Sequence, residues 1–157
     1  MTTDSDNKQP DKAPPASGKP AGEGSLEARI AAMTVPEKVE LASKGNREVR
    51  QILSRDASAM VARAVIGSPM LSEEDIITFA SSSQTNEDIL RAISENRQWT
   101  TNRQIVKAIV QNPRTPPQAA VRFLRGFATN ELRILMNNRS VSIVVRQEAK
   151  RMLTQRN

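Results

Sequence analysis

The residues best equipped for chemistry in this sequence are its late arginines. From residue 89 onward the 157-residue chain carries thirteen Lys or Arg against three acids, Glu95, Glu131 and Glu148, and eleven of the thirteen are Arg. The guanidinium group is flat and forked, and it matches a carboxylate or a phosphate in two-point contact. Pairs recur at helical spacing: Arg103 and Lys107 are four apart, as are Arg146 and Lys150, and Arg122 and Arg125 are three apart. On a helix each such pair shares a face. Residues 27–88 hold seven cations against ten acids and residues 1–26 hold three against four, so the net charge of +6 is concentrated late in the chain. Polarity of this kind points to an anionic partner.

Other chemistry is mostly excluded. The chain has no His and no Cys, which removes the usual general base, the thiolate nucleophile and the soft metal ligands. After the first 26 residues the glycines are single, at Gly45, Gly67 and Gly126, so no glycine-rich loop cradles a phosphate. The carboxylate runs Glu73-Glu74-Asp75 and Glu87-Asp88 lack the spacing of a calcium loop and fit the first turns of helices, where the helix dipole favours negative charge. The expectation is a non-enzymatic binding protein with no catalytic residue, metal or cofactor. Its candidate partner-binding residues are Arg91, Arg97, Trp99, Arg103, Lys107, Arg122, Arg125, Arg133, Arg139 and Arg146. Trp99 is the only Trp; it reads either as an interface anchor or as a plug between packed helices.

Those residues need a scaffold, and the apolar pattern supplies one. Aromatic residues make up 3% of the chain, which suits helices packed by Leu, Ile, Val and Ala better than sheet. Residues 1–26 are rich in Pro, Gly, Ala and Ser with almost no large apolar side chain, a composition that predicts a disordered tail. Residues 27–157 read as a helical-repeat domain of about nine short helices. Thr34 ahead of Pro36-Glu37, Ser72 ahead of Asp75, Thr85, Thr100 or Thr101, Thr115-Pro116 and Thr129 ahead of Glu131 are helix-start signals. Turn signals also recur: Ser68-Pro69 with Asn112-Pro113, Phe79 with Phe123, Thr85-Asn86-Glu87 with Thr129-Asn130-Glu131, and Asn96-Arg97 with Asn138-Arg139, at offsets of 42 to 44. A period in the low forties predicts HEAT-like pairs stacked as an α-solenoid.

Several segments carry a resemblance: Lys44-Gly-Asn-Arg-Glu-Val-Arg50, Leu53-Ser-Arg-Asp56, Glu95-Asn-Arg-Gln-Trp99 and Asn112-Pro-Arg-Thr-Pro116 followed by Phe123-Leu124. Over roughly residues 36–154 the chain resembles a family of short, uncharacterised bacterial helical-repeat proteins described as HEAT-like or leucine-rich-repeat-variant-like. The resemblance implies an all-α solenoid and carries no activity or ligand set. The expected role is a protein-interaction scaffold for an anionic peptide or helix surface. Nucleic acid is the alternative partner, and self-association of acidic early helices with basic late ones is a third reading. No apolar window nears the length of a membrane span, no secretory signal is evident, and without Cys no oxidising compartment is required; a cytoplasmic location is expected.

Overall fold

Capping side chains set the helix starts. A computed structural model describes residues 24–156, and among them lie eleven α-helices, one 3-10 turn and no strand. The all-α class is as expected. Residues 1–23, nearly all of the predicted tail, lie outside the described residues. Helix α1 (Leu26–Ala31) opens on Ser25, whose hydroxyl accepts from the Ala28 N–H, and it buries Ile30. It belongs to one compact unit, ending at Ala32; the helices from Met33 onward form another.

In that second unit Thr34 caps α2 (Val35–Lys44), Asn46 caps α3 (Arg47–Leu53), Ser58 caps α4 (Ala59–Ile66) and Ser72 caps α5 (Glu73–Ser81). Asn86, Asn96 and Asn102 cap α6 (Glu87–Glu95), α7 (Arg97–Thr100) and α8 (Arg103–Gln111). Each cap oxygen takes up an otherwise orphaned backbone N–H. The capping box at Ser72 and Asp75 is present as predicted. The start of α8 is not: Asn102 caps it rather than Thr100 or Thr101, which end the short helix α7 and close its last turn. Pro117 opens α9 (Pro117–Val121). The chain then tightens into the 3-10 turn Arg122–Gly126 before α10 (Thr129–Asn137) and α11 (Ile143–Arg156).

The helices alternate between two rows. One row runs α2, α4, α6, α9, α11, each packed on the next; the other runs α3, α5, α8, with α8 also packed on the 3-10 turn. α10 packs on α11 and is joined to α8 by Arg103, which donates to Glu131. Buried stripes recur at helical spacing between the rows: Val61, Ala62 and Val65; Ile76, Phe79 and Ala80; Ile89, Leu90 and Ile93; Ile105, Val106, Ile109 and Val110. The late core joins Leu124, Phe127, Leu132, Leu135, Val145 and Ala149. Burying side chains of this size fully stabilises by about 1.5–3 kcal/mol each. Met60 and Val144, which are apolar and lie beside buried Val61 and Val145, are exposed.

The structural repeat differs from the one the sequence suggested. Equivalent turns start at Ser54, Ser82, Asn112 and Asn138, so helix pairs recur after 28, 30 and 26 residues. The offset of 42 to 44 matches elements from opposite rows: Thr85-Asn86 leads into α6, whereas Thr129-Asn130 begins α10. The match is one of sequence only: Asn86 caps α6, whereas α10 has Ala128 at its cap position, with no side-chain cap, and not Thr129 as expected.

Polar ties fix the register of neighbouring pairs. The Asp75 side chain is wholly buried and accepts from Arg50 Nη2 at 3.0 Å, Arg47 Nε at 3.1 Å and the Ser72 N–H at 3.0 Å. Arg50 also donates to the Gly45 carbonyl at 2.9 Å. A Cβ at Gly45 would lie 2.9 Å from the Leu41 carbonyl, so the chain passes too close there for any side chain. At the other helix ends, Asn86 Nδ2 donates to the Asp56 carbonyl at 2.7 Å. Asn112 Nδ2 donates to the carbonyls of Ala80 at 2.7 Å and Ser82 at 2.8 Å, while its Oδ1 accepts from the Arg114 N–H.

Two expectations follow. Asp75→Ala strands Arg50 in the interior and should cost about 3–5 kcal/mol in urea denaturation at neutral pH; a loss below about 1 kcal/mol contradicts its place in the core. Burial alone would raise the Asp75 carboxyl, but hydrogen bonds from the Ser72 N–H and then from Arg50 and Arg47 outweigh it and hold the group below the ordinary Asp value. Its stabilisation is therefore complete above about pH 5 and is lost as the pH falls below about 4 toward the folded-state pKa. Asp75→Asn should flatten that acid limb. Asn112→Ala should cost about 2–3 kcal/mol, and Asn112→Asp should cost more because a carboxylate oxygen would face two carbonyls. Thermal melts that reverse this order overturn the assignment.

Candidate functional site

Three helices bring the same kind of stripe to the edge of a groove, that of α4 including the buried Ala62. On α4 the residues Ala59, Ala62, Arg63 and Ile66, and on α6 the residues Asp88, Arg91, Ala92 and Glu95, follow the i, i+3, i+4, i+7 pattern of one helix face. Together they line a groove of about 240 Å³. On α11 the same pattern gives Glu148, Arg151, Met152 and Gln155, which with Val121, Arg122 and Arg125 line a groove of about 610 Å³. The 3-10 geometry matters here, because side chains three apart on such a turn eclipse one another. Arg122 and Arg125 thus project together. Between these grooves lies a third, of about 360 Å³, lined by Ser94, Glu95, Arg97, Thr100, Arg122 and Phe123.

The three grooves adjoin through shared lining residues and are together called the trench. Glu95 lines the first and the middle groove, and Arg122 lines the middle and the last. Its charges are unevenly compensated. Arg91 is held by Glu87 and Asp88, both at 2.9 Å. Arg151 is bound to Glu148, and this contact holds the Glu148 carboxyl below its ordinary value and raises the Arg151 guanidinium. Arg97, Arg122 and Arg125 have no carboxylate within ion-pair reach among the described residues. The Arg122 guanidinium lies 5.9 Å from the centre of the Phe123 ring. Phe123, Val121 and Met152 are half-buried, packed against the late core on one side and lining the trench on the other. The early part of the trench is thus nearly balanced in charge, and the late part is an arginine rim over an apolar floor.

Comparisons of the chain with protein families, curated proteins and solved structures found no match.

Of the residues singled out by sequence, the structure gathers Arg91, Arg97, Arg122 and Arg125 along the trench. Trp99 sits half-buried in α7, held by the Asn96 cap. Arg103 and Lys107 share a face as predicted, but both turn to Glu131 on α10. Arg103 also donates to the Gly126 carbonyl at 3.0 Å and lies 4.7 Å from the Phe127 ring centre. That pair is therefore engaged in holding α8 to α10. Arg133 and Arg139 are exposed on α10 and in the turn after it. Arg146 is half-buried on α11, its Nε buried without a partner. None of these six lines the trench. Sequence reasoning missed Arg63, Arg151 and the apolar floor; the i, i+3, i+4, i+7 pattern opposite each buried stripe was the signal that could have found them.

A polar groove of about 460 Å³ on the other row runs from Ser81 and Gln104 to Asn138 and Ser140. Its one cation, Lys107, is 3.3 Å from Glu131. Among the described residues no three His, Cys, Asp or Glu side chains converge as a metal site, and no helix is long and apolar enough to cross a membrane.

Glu131 offers a direct check on where the late cations are committed. Its carboxylate accepts from the Ala128 N–H and from Arg103 and Lys107, and its pKa is lowered to about 2. A carbon-detected NMR titration should place its midpoint near 2, well under the ordinary Glu value of about 4.3. A midpoint near that ordinary value shows Arg103 and Lys107 free.

Proposed function

We propose that this chain is a non-enzymatic protein-interaction module that holds a segment of another protein along the trench. The observation that carries this reading is the run of three adjoining grooves, which share Glu95 and Arg122 and end where Arg97, Arg122 and Arg125 lack acidic partners. A lengthwise channel between successive helix pairs is how helical-repeat proteins receive extended or helical guests. The resemblance to HEAT-like and leucine-rich-repeat-variant-like proteins fits the same reading, as does a short α-solenoid formed by the two helix rows. A cytoplasmic setting belongs to it too, since a chain without Cys needs no oxidising compartment.

Reversing three charges tests it. In nuclease-treated lysate the wild-type chain should retain a protein partner that Arg97→Glu/Arg122→Glu/Arg125→Glu binds about a hundredfold more weakly. Equal retention of the same partner by both refutes the trench as the binding surface.

A second reading is favoured by one observation. Arg133, Arg139 and Lys150 also lack acidic partners among the described residues, so the basic half as a whole could follow a phosphate backbone. Affinity for single-stranded DNA should then fall linearly on a log–log plot against salt. No binding at low salt removes that reading.

A further inference from the structure

We propose that the late part of the trench is built for an acidic amphipathic peptide segment, with carboxylates on Arg97, Arg122 and Arg125 and an apolar side chain seated on Val121 and Met152. This rests on the protein-binding reading above and names the partner's chemistry.

Three observations lead there. First, the floor is apolar and already anchored. Val121, Phe123 and Met152 pack into the late core on one side, so an incoming aliphatic group would cover their remaining surface without requiring them to move. Second, the rim donates in a defined direction. Arg122 and Arg125 eclipse on the 3-10 turn, and the Arg122 guanidinium stands near the Phe123 ring. A guanidinium stacked on an aromatic face keeps its in-plane N–H donors free for a carboxylate. Third, the far wall offers an anion no uncompensated cation. Arg151 is already bound to Glu148, so the free positive charge that draws carboxylates lies on Arg97, Arg122 and Arg125. A guest must therefore carry acids along one edge and an apolar residue beside them. A phosphodiester strand supplies the charge but no aliphatic side chain for the floor. For stacking bases the trench lining holds a single aromatic ring, Phe123, which Arg122 already stands near, and Trp99 does not line it.

The test uses the full chain and three probes of equal formal charge: a peptide of Glu alone, a peptide alternating Glu with Leu, and oligothymidine. Fluorescence anisotropy should show the Glu–Leu peptide binding about tenfold more tightly than the Glu peptide. The Glu–Leu peptide should also keep more of its affinity as salt rises. Arg122→Glu/Arg125→Glu should abolish binding of both peptides. Met152→Gln should remove only the advantage of the Glu–Leu peptide, and Val121→Thr, which nearly preserves volume, should do the same if the first variant melts early. Equal affinity for the two peptides overturns the apolar seat and leaves the protein-binding reading standing. Failure of both peptides to bind overturns the seat and that reading together. Tighter binding of oligothymidine than of either peptide overturns the proposal in favour of nucleic acid.

Discussion

Among the described residues no helix is long enough to be stable on its own. Ten of the eleven described helices have ten residues or fewer, and the longest, α11, has fourteen. Isolated helices under about 12–15 residues are marginal in water even with favourable sequences. Each helix from α2 onward therefore persists because its neighbours cover its apolar stripe, as Ile89, Leu90 and Ile93 of α6 and Ile105, Ile109 and Val110 of α8 are covered. The same constraint creates the trench. Once a helix gives one face to the opposite row and its flanks to its neighbours in line, the face left over is the i, i+3, i+4, i+7 stripe pointing outward. Successive stripes bound a groove wherever adjacent helices leave space.

Apolar stacking alone would let pairs slide, and the buried polar ties oppose this. Asp75 holds α5 to α3 through Arg47 and Arg50, and Asn112 reaches back to two carbonyls of the preceding turn. These contacts have direction, so they specify one register where hydrophobic burial would tolerate several. Glu131 serves similarly between α8 and α10, and in doing so it engages Arg103 and Lys107. The basic half of the chain is thereby sorted. Some cations hold the stack together, while Arg97, Arg122 and Arg125 have no such role and remain open to a guest.

Much of the fold was legible because its signals are local. Period-3.6 apolar stripes and oxygen-bearing caps such as Thr34 and Ser72 announced the helices and their starts. Helix α7 escaped notice because four residues, Arg97–Thr100, are too few to show a period. That miss also misplaced the cap of α8. The repeat length was misread because one tripeptide stands in two roles: Thr-Asn-Glu opens α6, where Asn86 is the cap, and lies within α10, whose cap position is Ala128. The site was half legible. Charge counting found the arginines but could not tell Arg103, engaged with Glu131, from Arg122, which has no acid beside it. That distinction is long-range: Glu131 lies 28 residues from Arg103, and no spacing rule connects them.

Arginine side-chain NMR, following the Nε–Hε signals during titration with the Glu–Leu peptide, tests the account at its centre. The account predicts shifts at Arg97, Arg122 and Arg125 and steady signals at Arg91 and Arg103, which already have carboxylate partners. Shifts centred on Arg103, Arg133 and Arg139, with Arg122 and Arg125 unchanged, would contradict it.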